Sequence, residues 1–98
     1  VLTRLGIADY FSFIVEAQGV LHKSRPEVFF ACMHRLGGAD PAACAVCEDA
    51  IYAASTAHKA GFTVLGVQDA ASAADAPALA RRCDQFLPDW TARDWTKI

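Results

Sequence analysis

Two adjacent carboxylates, Glu48 and Asp49, follow directly on the apolar run Ala45-Val46-Cys47. Side by side they repel, and burying them is costly unless a positive charge compensates. A divalent cation is the natural compensator, and carboxylate oxygens suit magnesium. Lys23 stands just ahead of a helix-forming stretch, at the end where a helix dipole favours anions. A lysine there makes sense beside a phosphate or a carboxylate. Each feature also has a plainer reading: Asp49 as the N-cap of the following helix, and Lys23 as a solvated loop residue. His22, next to Lys23, could touch a substrate or simply be solvated. Gln68 and Asp69 end a second apolar run and belong to the same class of position. The spacing Cys44-Ala45-Val46-Cys47 looks like half a zinc site. Extended residues three apart point to opposite faces, however, and a zinc knuckle wants a second pair on a polar turn. The four cysteines, Cys32, Cys44, Cys47 and Cys83, therefore read as small buried thiols in a reducing cytoplasm. A Cys/His metal protein using Cys44, Cys47, His34 and His58 is the rival metal chemistry.

The 98 residues allow one domain. With 54% apolar and 20% charged residues, the chain is neither a disordered polyelectrolyte nor a single membrane segment. A formal net charge of -2 without a basic stripe argues against nucleic acid. No apolar run reaches the roughly 18 residues of a membrane helix. The start, Val1-Leu2-Thr3-Arg4, has no initiator Met, no basic n-region and no apolar h-region, and reads like the middle of a helix. The expectation is a cytoplasmic chain that belongs to something longer.

The elements that must position these residues alternate. Residues 1–6 read as a helix end stopped by Gly6, and residues 13–15 (Phe-Ile-Val) as a short strand. Ser24 and Glu27 have capping-box spacing around Pro26, which predicts a helix over residues 26–36 ended by Gly37-Gly38. Val28, Phe29, Cys32, Met33 and Leu36 make its apolar face. Asp40-Pro41 is a turn or brief helical start. Residues 44–47 form a continuous apolar run, the pattern of a strand buried on both faces. An alanine-rich helix over residues 50–60 ends with Gly61 at C′, and a strand follows over residues 62–67. Residues 69–76 read as a surface loop, residues 77–82 as a short helix and residues 85–87 as a last short strand. The tail from Asp89, with Trp90 and Trp95, has no assignable element. Strands alternating with helices mean βαβ units and a parallel sheet, with ligands outside the carboxyl ends of the strands. Lys23, Glu48-Asp49 and Gln68-Asp69 all fall at such ends.

Taken in order, these segments resemble the haloacid dehalogenase (HAD)-like superfamily. Lys23-Ser24-Arg25-Pro26-Glu27-Val28-Phe29 is similar to its Lys-Pro-x-Pro-Glu-x-Phe segment. Ala45-Val46-Cys47-Glu48-Asp49-Ala50 is similar to its strand ending in Glu-Asp-Ser. Ala57-His58-Lys59-Ala60-Gly61 and Phe62-Thr63-Val64-Leu65-Gly66-Val67 follow in the same order, and Leu5-Gly6-Ile7-Ala8-Asp9-Tyr10-Phe11 resembles the lead into its third core strand. The resemblance covers about Leu2 to Leu87 and is nearest the phosphoglycolate phosphatase and β-phosphoglucomutase branch. The departures are Ser24 and Arg25 in the lysine segment, one extra residue within Gly37-Gly38-Ala39-Asp40, Ala53 in place of a glycine, and the bulky Tyr52 beside it.

The resemblance implies a Rossmann-like α/β core, parallel sheet with flanking helices, of which residues 1–98 are the C-terminal part without the first two core strands and without a cap domain. It implies Mg2+ and phosphoryl transfer from a small phosphorylated metabolite to an aspartate, then to water or back to a sugar. Asp49 would be a magnesium ligand, Glu48 a second ligand or the group that orients one, and Lys23 would neutralise the nucleophile and the phosphoryl oxygens. The family's Asp-x-Asp nucleophile pair does not occur in these residues. The expectations are thus an intact phosphatase, with a sugar-phosphate mutase or a non-catalytic binding module as alternatives. The chain alone is expected to be inactive, and to need the missing N-terminal half or a second copy to complete its sheet. No cap is expected within residues 18–43.

Overall fold

Thr63–Val67 forms the middle strand (β2) of a three-stranded parallel sheet, between Ala45–Glu48 (β1) and Gln85–Leu87 (β3). The computed structural model describes residues 2–95; the expectations for Val1 and for the end of the tail lie outside them. Among the described residues four α-helices accompany the sheet: Leu2–Leu5 (α1), Glu27–Arg35 (α2), Ile51–Lys59 (α3) and Ala76–Ala80 (α4). This is a small α/β unit with β1-α3-β2 and β2-α4-β3 connections, the architecture expected of a Rossmann-like fragment.

The two long helices stop where glycine can adopt a left-handed backbone. Gly37 has φ 82° and Gly61 has φ 96°. In each case the next N–H reaches back to the third carbonyl from the end: Gly38 to Met33 at 2.9 Å and Phe62 to Ala57 at 3.1 Å. These bonds satisfy the orphan carbonyls that every helix end leaves. The turn after α3 therefore drops Phe62 into the core, where it meets Phe30 and Phe29 of α2 with ring centroids 5.3 and 6.0 Å apart.

The core is alanine-rich because α3 lies close to the sheet. Ala53, Ala54 and Ala57 are fully buried and join Val64, Met33 and Leu79 in one cluster. Gly66 in β2 allows a close approach of α4 and the turn after it: a Cβ there would stand 2.8 Å from the Cys83 sulfur and 3.1 Å from Leu79 Cγ. Val46 and Val64 are paired partners on this face, and so are Glu48 and Gly66. The register thus turns Glu48 toward the start of α3.

Several expectations change in physical detail. Residues 13–15 form no strand: Phe13, Val15 and Ala17 are half-buried and Ile14, Glu16 exposed, so the period of two survives, but no ladder partner exists among the described residues. Val15 and Ala17 pack on the core, and the Arg35 guanidinium lies 4.3 Å from the Phe13 ring. The capping box does not form. The helix begins at Glu27 with Pro26 at N-cap, so Ser24 is two residues too early. Ser24 pairs instead with His22, and Glu27 with Arg25. β1 is not buried on both faces; Ala45 and Cys47 are exposed, because the core packs on the face that carries Val46 and Glu48. Leu36 is exposed rather than part of the α2 apolar face. Ala70–Asp75 holds 3-10 turns broken by a kink at Ser72, instead of a plain loop. Residues 18–43 hold one 3-10 turn at Gly19–Leu21, α2, and the loop entering the 3-10 turn Pro41–Ala43.

Candidate functional site

Lys23 and Glu48 are 25 positions apart in sequence, yet Lys23 Nζ donates to Glu48 Oε2 at 2.9 Å. β1 carries Glu48 to the carboxyl edge of the sheet, and the loop before α2 brings Lys23 over it. That loop is pinned by His22. Its ring stacks on Tyr52 of α3, with centroids 5.7 Å apart and planes 19° from parallel, and its Nδ1 accepts the Ser24 N–H at 3.1 Å. Tyr52, the bulky departure from the resembled pattern, is therefore what ties the lysine loop to the helix.

Glu48 is buried and fully engaged. Its second oxygen, Oε1, accepts the N–H groups of Asp49 at 3.1 Å and Ala50 at 3.3 Å. These two N–H groups lie at the N-cap of α3 and the residue before it, so Glu48 fixes the turn into the helix without capping its first-turn donors. The N-cap of α3 is Ala50, and no side chain caps it. The half-buried Asp49 carboxylate has no hydrogen-bond partner among the described residues. Asp49 does not act as the helix cap.

Lys23 is likewise more than a solvated loop residue. Its hydrogen bond to Glu48 raises its pKa above the usual 10.5, outweighing the burial that would lower it, and the Glu48 charge adds to the rise. The ammonium is charged throughout the physiological range. Its side chain remains 37% exposed, so donors are left over for another anion.

Lys23, Glu48 and Asp49 share a cleft of about 380 Å³ with Gln68 and Asp69, the residues that leave β2. Trp90 forms another part of the wall, and sequence reasoning missed it because no element could be assigned to the tail. Cys47 also lines the cleft. Although exposed as a residue, its thiol is partly desolvated, which pushes its pKa up. A protonated thiol is a poor nucleophile. All four cysteines are free thiols, and Cys47 is exposed where a buried thiol was expected. His22 does not line this cleft. A larger depression of about 850 Å³ adjoins it on the α3 side, sharing Asp49 but walled chiefly by α3 and Arg82. The smaller cleft is the one that brings Lys23, Glu48 and Asp49 together at the strand ends.

The donor set bears on magnesium directly. Asp49, Asp69 and the Gln68 amide offer hard oxygen atoms, which suit Mg2+ in kind. No group of three His, Cys, Asp or Glu side chains that could hold a metal occurs among the described residues. An open site with one or two protein carboxylates, completed by water and substrate oxygens, is the arrangement magnesium favours. Asp49 can contribute to such a site with its whole carboxylate, whereas the Glu48 oxygens already accept from Lys23, Asp49 and Ala50 and leave Oε2 the freer one.

One consequence is a stability effect. Glu48→Ala removes the acceptor of two helix-start donors and strands the Lys23 ammonium over a buried position. The expected loss is about 2–3 kcal/mol, below the full penalty of a broken buried pair because Lys23 reaches water. Glu48→Gln keeps an acceptor and is expected to lose about half as much. Denaturant unfolding of both variants in the intact protein measures this, and unchanged midpoints would show that the contact carries no stability.

No family profile matches the chain, and no solved structure matches it. Two curated proteins do match in part. The chain is 37% identical over 68 residues to "Fructose-1-phosphate phosphatase YqaB" of Escherichia coli K12, covering 68% of this chain and 36% of that protein. It is 38% identical over 68 residues to an uncharacterized protein of Haemophilus influenzae, covering 68% of this chain and 34% of that protein. The chain thus spans about a third of the length of the relatives it matches, and the partial likeness to a phosphatase lends coarse support to the HAD-like resemblance of its motifs.

Proposed function

We propose that the chain carries the lysine and acidic segments of a HAD-like phosphoryl-transfer site. In this reading the intact protein is a magnesium-dependent phosphatase of a small organic phosphate. The observation that carries it is the meeting of Lys23, Glu48 and Asp49 at the carboxyl end of β1, in the order and spacing of the resembled motifs. The partial likeness to a protein named as a phosphatase supports the class of reaction.

The chain's own residues divide the work. Glu48 holds Lys23 and the start of α3 in place. Lys23 directs its remaining N–H donors at phosphoryl oxygens and neutralises part of their charge. Asp49 provides the free carboxylate for Mg2+, with Asp69 across the cleft as a further oxygen donor. When bound, the metal offsets negative charge on the phosphoryl group. The Asp-x-Asp pair of the resembled family does not occur in these residues; on this reading the acceptor aspartate belongs to another part of the intact protein, and residues 1–98 alone are expected not to turn over.

The test is an assay of the intact protein on a panel of small phosphate esters, with magnesium and with chelator. Hydrolysis that stops with chelator and returns with magnesium is expected. Equal rates in both conditions, or none with any ester, would overturn the reading.

A further inference from the structure

A lysine side chain keeps much rotamer freedom, so the aim of its ammonium depends on how firmly its backbone is held. The turn that carries Lys23 is closed twice, and both acceptors belong to His22. The His22 carbonyl accepts the Arg25 N–H at 3.0 Å, and the ring Nδ1 accepts the Ser24 N–H at 3.1 Å. A side-chain acceptor for the N–H two residues on is the usual work of Asn or Asp in a turn. Here an imidazole does it, with the Ser24 hydroxyl 3.0 Å from the same nitrogen. An accepting Nδ1 leaves the proton of the neutral ring on Nε2. Where the resembled segment has proline after its lysine, with φ fixed and no N–H to satisfy, this chain has Ser24. His22 supplies the acceptor that this extra N–H needs. Its ring face is used as well, stacked on Tyr52, the second residue of α3. The stack and the Lys23–Glu48 ion pair thus brace one loop against the junction of β1 and α3.

We propose that His22 is a positioning residue for Lys23: its Nδ1 and its ring face fix the turn from which the ammonium reaches phosphoryl oxygens. The inference rests on the phosphatase reading for what Lys23 meets, and adds the residue that aims it. A direct substrate contact does not fit, because neither His22 nor Tyr52 lines the cleft of Lys23, Glu48 and Asp49. A freely solvated ring does not fit either, because it would neither stack nor accept a backbone N–H. Any effect of His22 on turnover must then pass through Lys23. A misplaced catalytic group loses rate even when it is still present.

The test uses the intact protein with His22→Ala and His22→Asn, each made in the wild-type and in the Lys23→Ala background and assayed on small phosphate esters at saturating magnesium. In the wild-type background His22→Ala is expected to lower kcat about 5–20-fold, the scale of one hydrogen bond and one ring contact, with little change in KM. His22→Asn keeps an acceptor for the Ser24 N–H and should recover part of the loss. In the Lys23→Ala background His22→Ala should change kcat by less than about twofold, because the group it aims is gone. Equal fold-losses in the two backgrounds, or no loss in the wild-type background, overturn the inference and leave the phosphatase reading intact. Exchange of the Ser24 amide proton, followed by NMR in the intact protein, needs no turnover. It should be faster by about threefold or more in His22→Ala than in the wild type or His22→Asn. Equal exchange in all three overturns the inference whether or not any ester is hydrolysed. A wild type that hydrolyses no ester but shows the exchange difference overturns the phosphatase reading and supports the hold of His22 on the lysine turn.

Discussion

Asp49→Asn and Lys23→Ala in the intact protein are each expected to lower turnover by about 10²–10³, the usual cost of removing one charge-stabilising group. The two losses differ in kind. Asn keeps the shape of Asp but not its charge, so Asp49→Asn should raise the magnesium concentration needed for half-maximal rate. Lys23→Ala should leave that concentration nearly unchanged and depress the rate at saturating metal. Folding does not confuse the first variant. Ala50, not Asp49, is the N-cap of α3, and no side chain caps that helix. Asp49→Asn should therefore shift the unfolding midpoint little. Lys23→Ala leaves Glu48 buried without its cation, so its turnover must be read alongside its unfolding curve. Wild-type turnover and metal dependence in Asp49→Asn would remove this residue from the site.

Expressed alone, residues 1–98 are expected to give no cooperative, protected monomer. β1 pairs with β2 and with nothing on its other side among the described residues. An open strand edge is a template for association. Large apolar side chains near the chain start are also open to water: Tyr10 is 84% exposed, Val20 70% and Ile14 67%. Such a surface is large for a unit whose core rests on alanines. Sedimentation should show self-association, and amide exchange should show protection at most in β2, which has neighbours on both sides. Adding the rest of the intact protein as a second chain should restore a discrete species. A monomer with protected amides across all three strands would refute the expectation.

The local patterns in the chain were sufficient for α2, α3, β2 and β3, within a residue or two. Their signals are short-range: apolar spacing inside each element, and glycines at 37 and 61 that end the helices through bonds spanning a single turn. The order of elements, hence the parallel sheet, follows because a short helix between two strands leaves little other choice. Lys23, Glu48 and Asp49 were also legible as residue types, through motif order.

Partnerships between distant segments were decided by the tertiary structure. Ser24 and Glu27 have the spacing of a capping box, but His22 and Arg25 are nearer partners once the helix starts at Glu27. Phe13 to Val15 has the composition and the alternating burial of a strand, but a strand is defined by a ladder, and a ladder needs a neighbour. Glu48 rather than Asp49 serves the α3 start because the β1–β2 register turns Glu48 inward, and that register exists only in the paired sheet. Trp90 reaches the cleft through contacts of its own turn and of β3 that leave no periodic trace in the sequence. Periodicity records which face of an element is buried, whereas the choice of partner across a cleft depends on distances that only the packed chain sets.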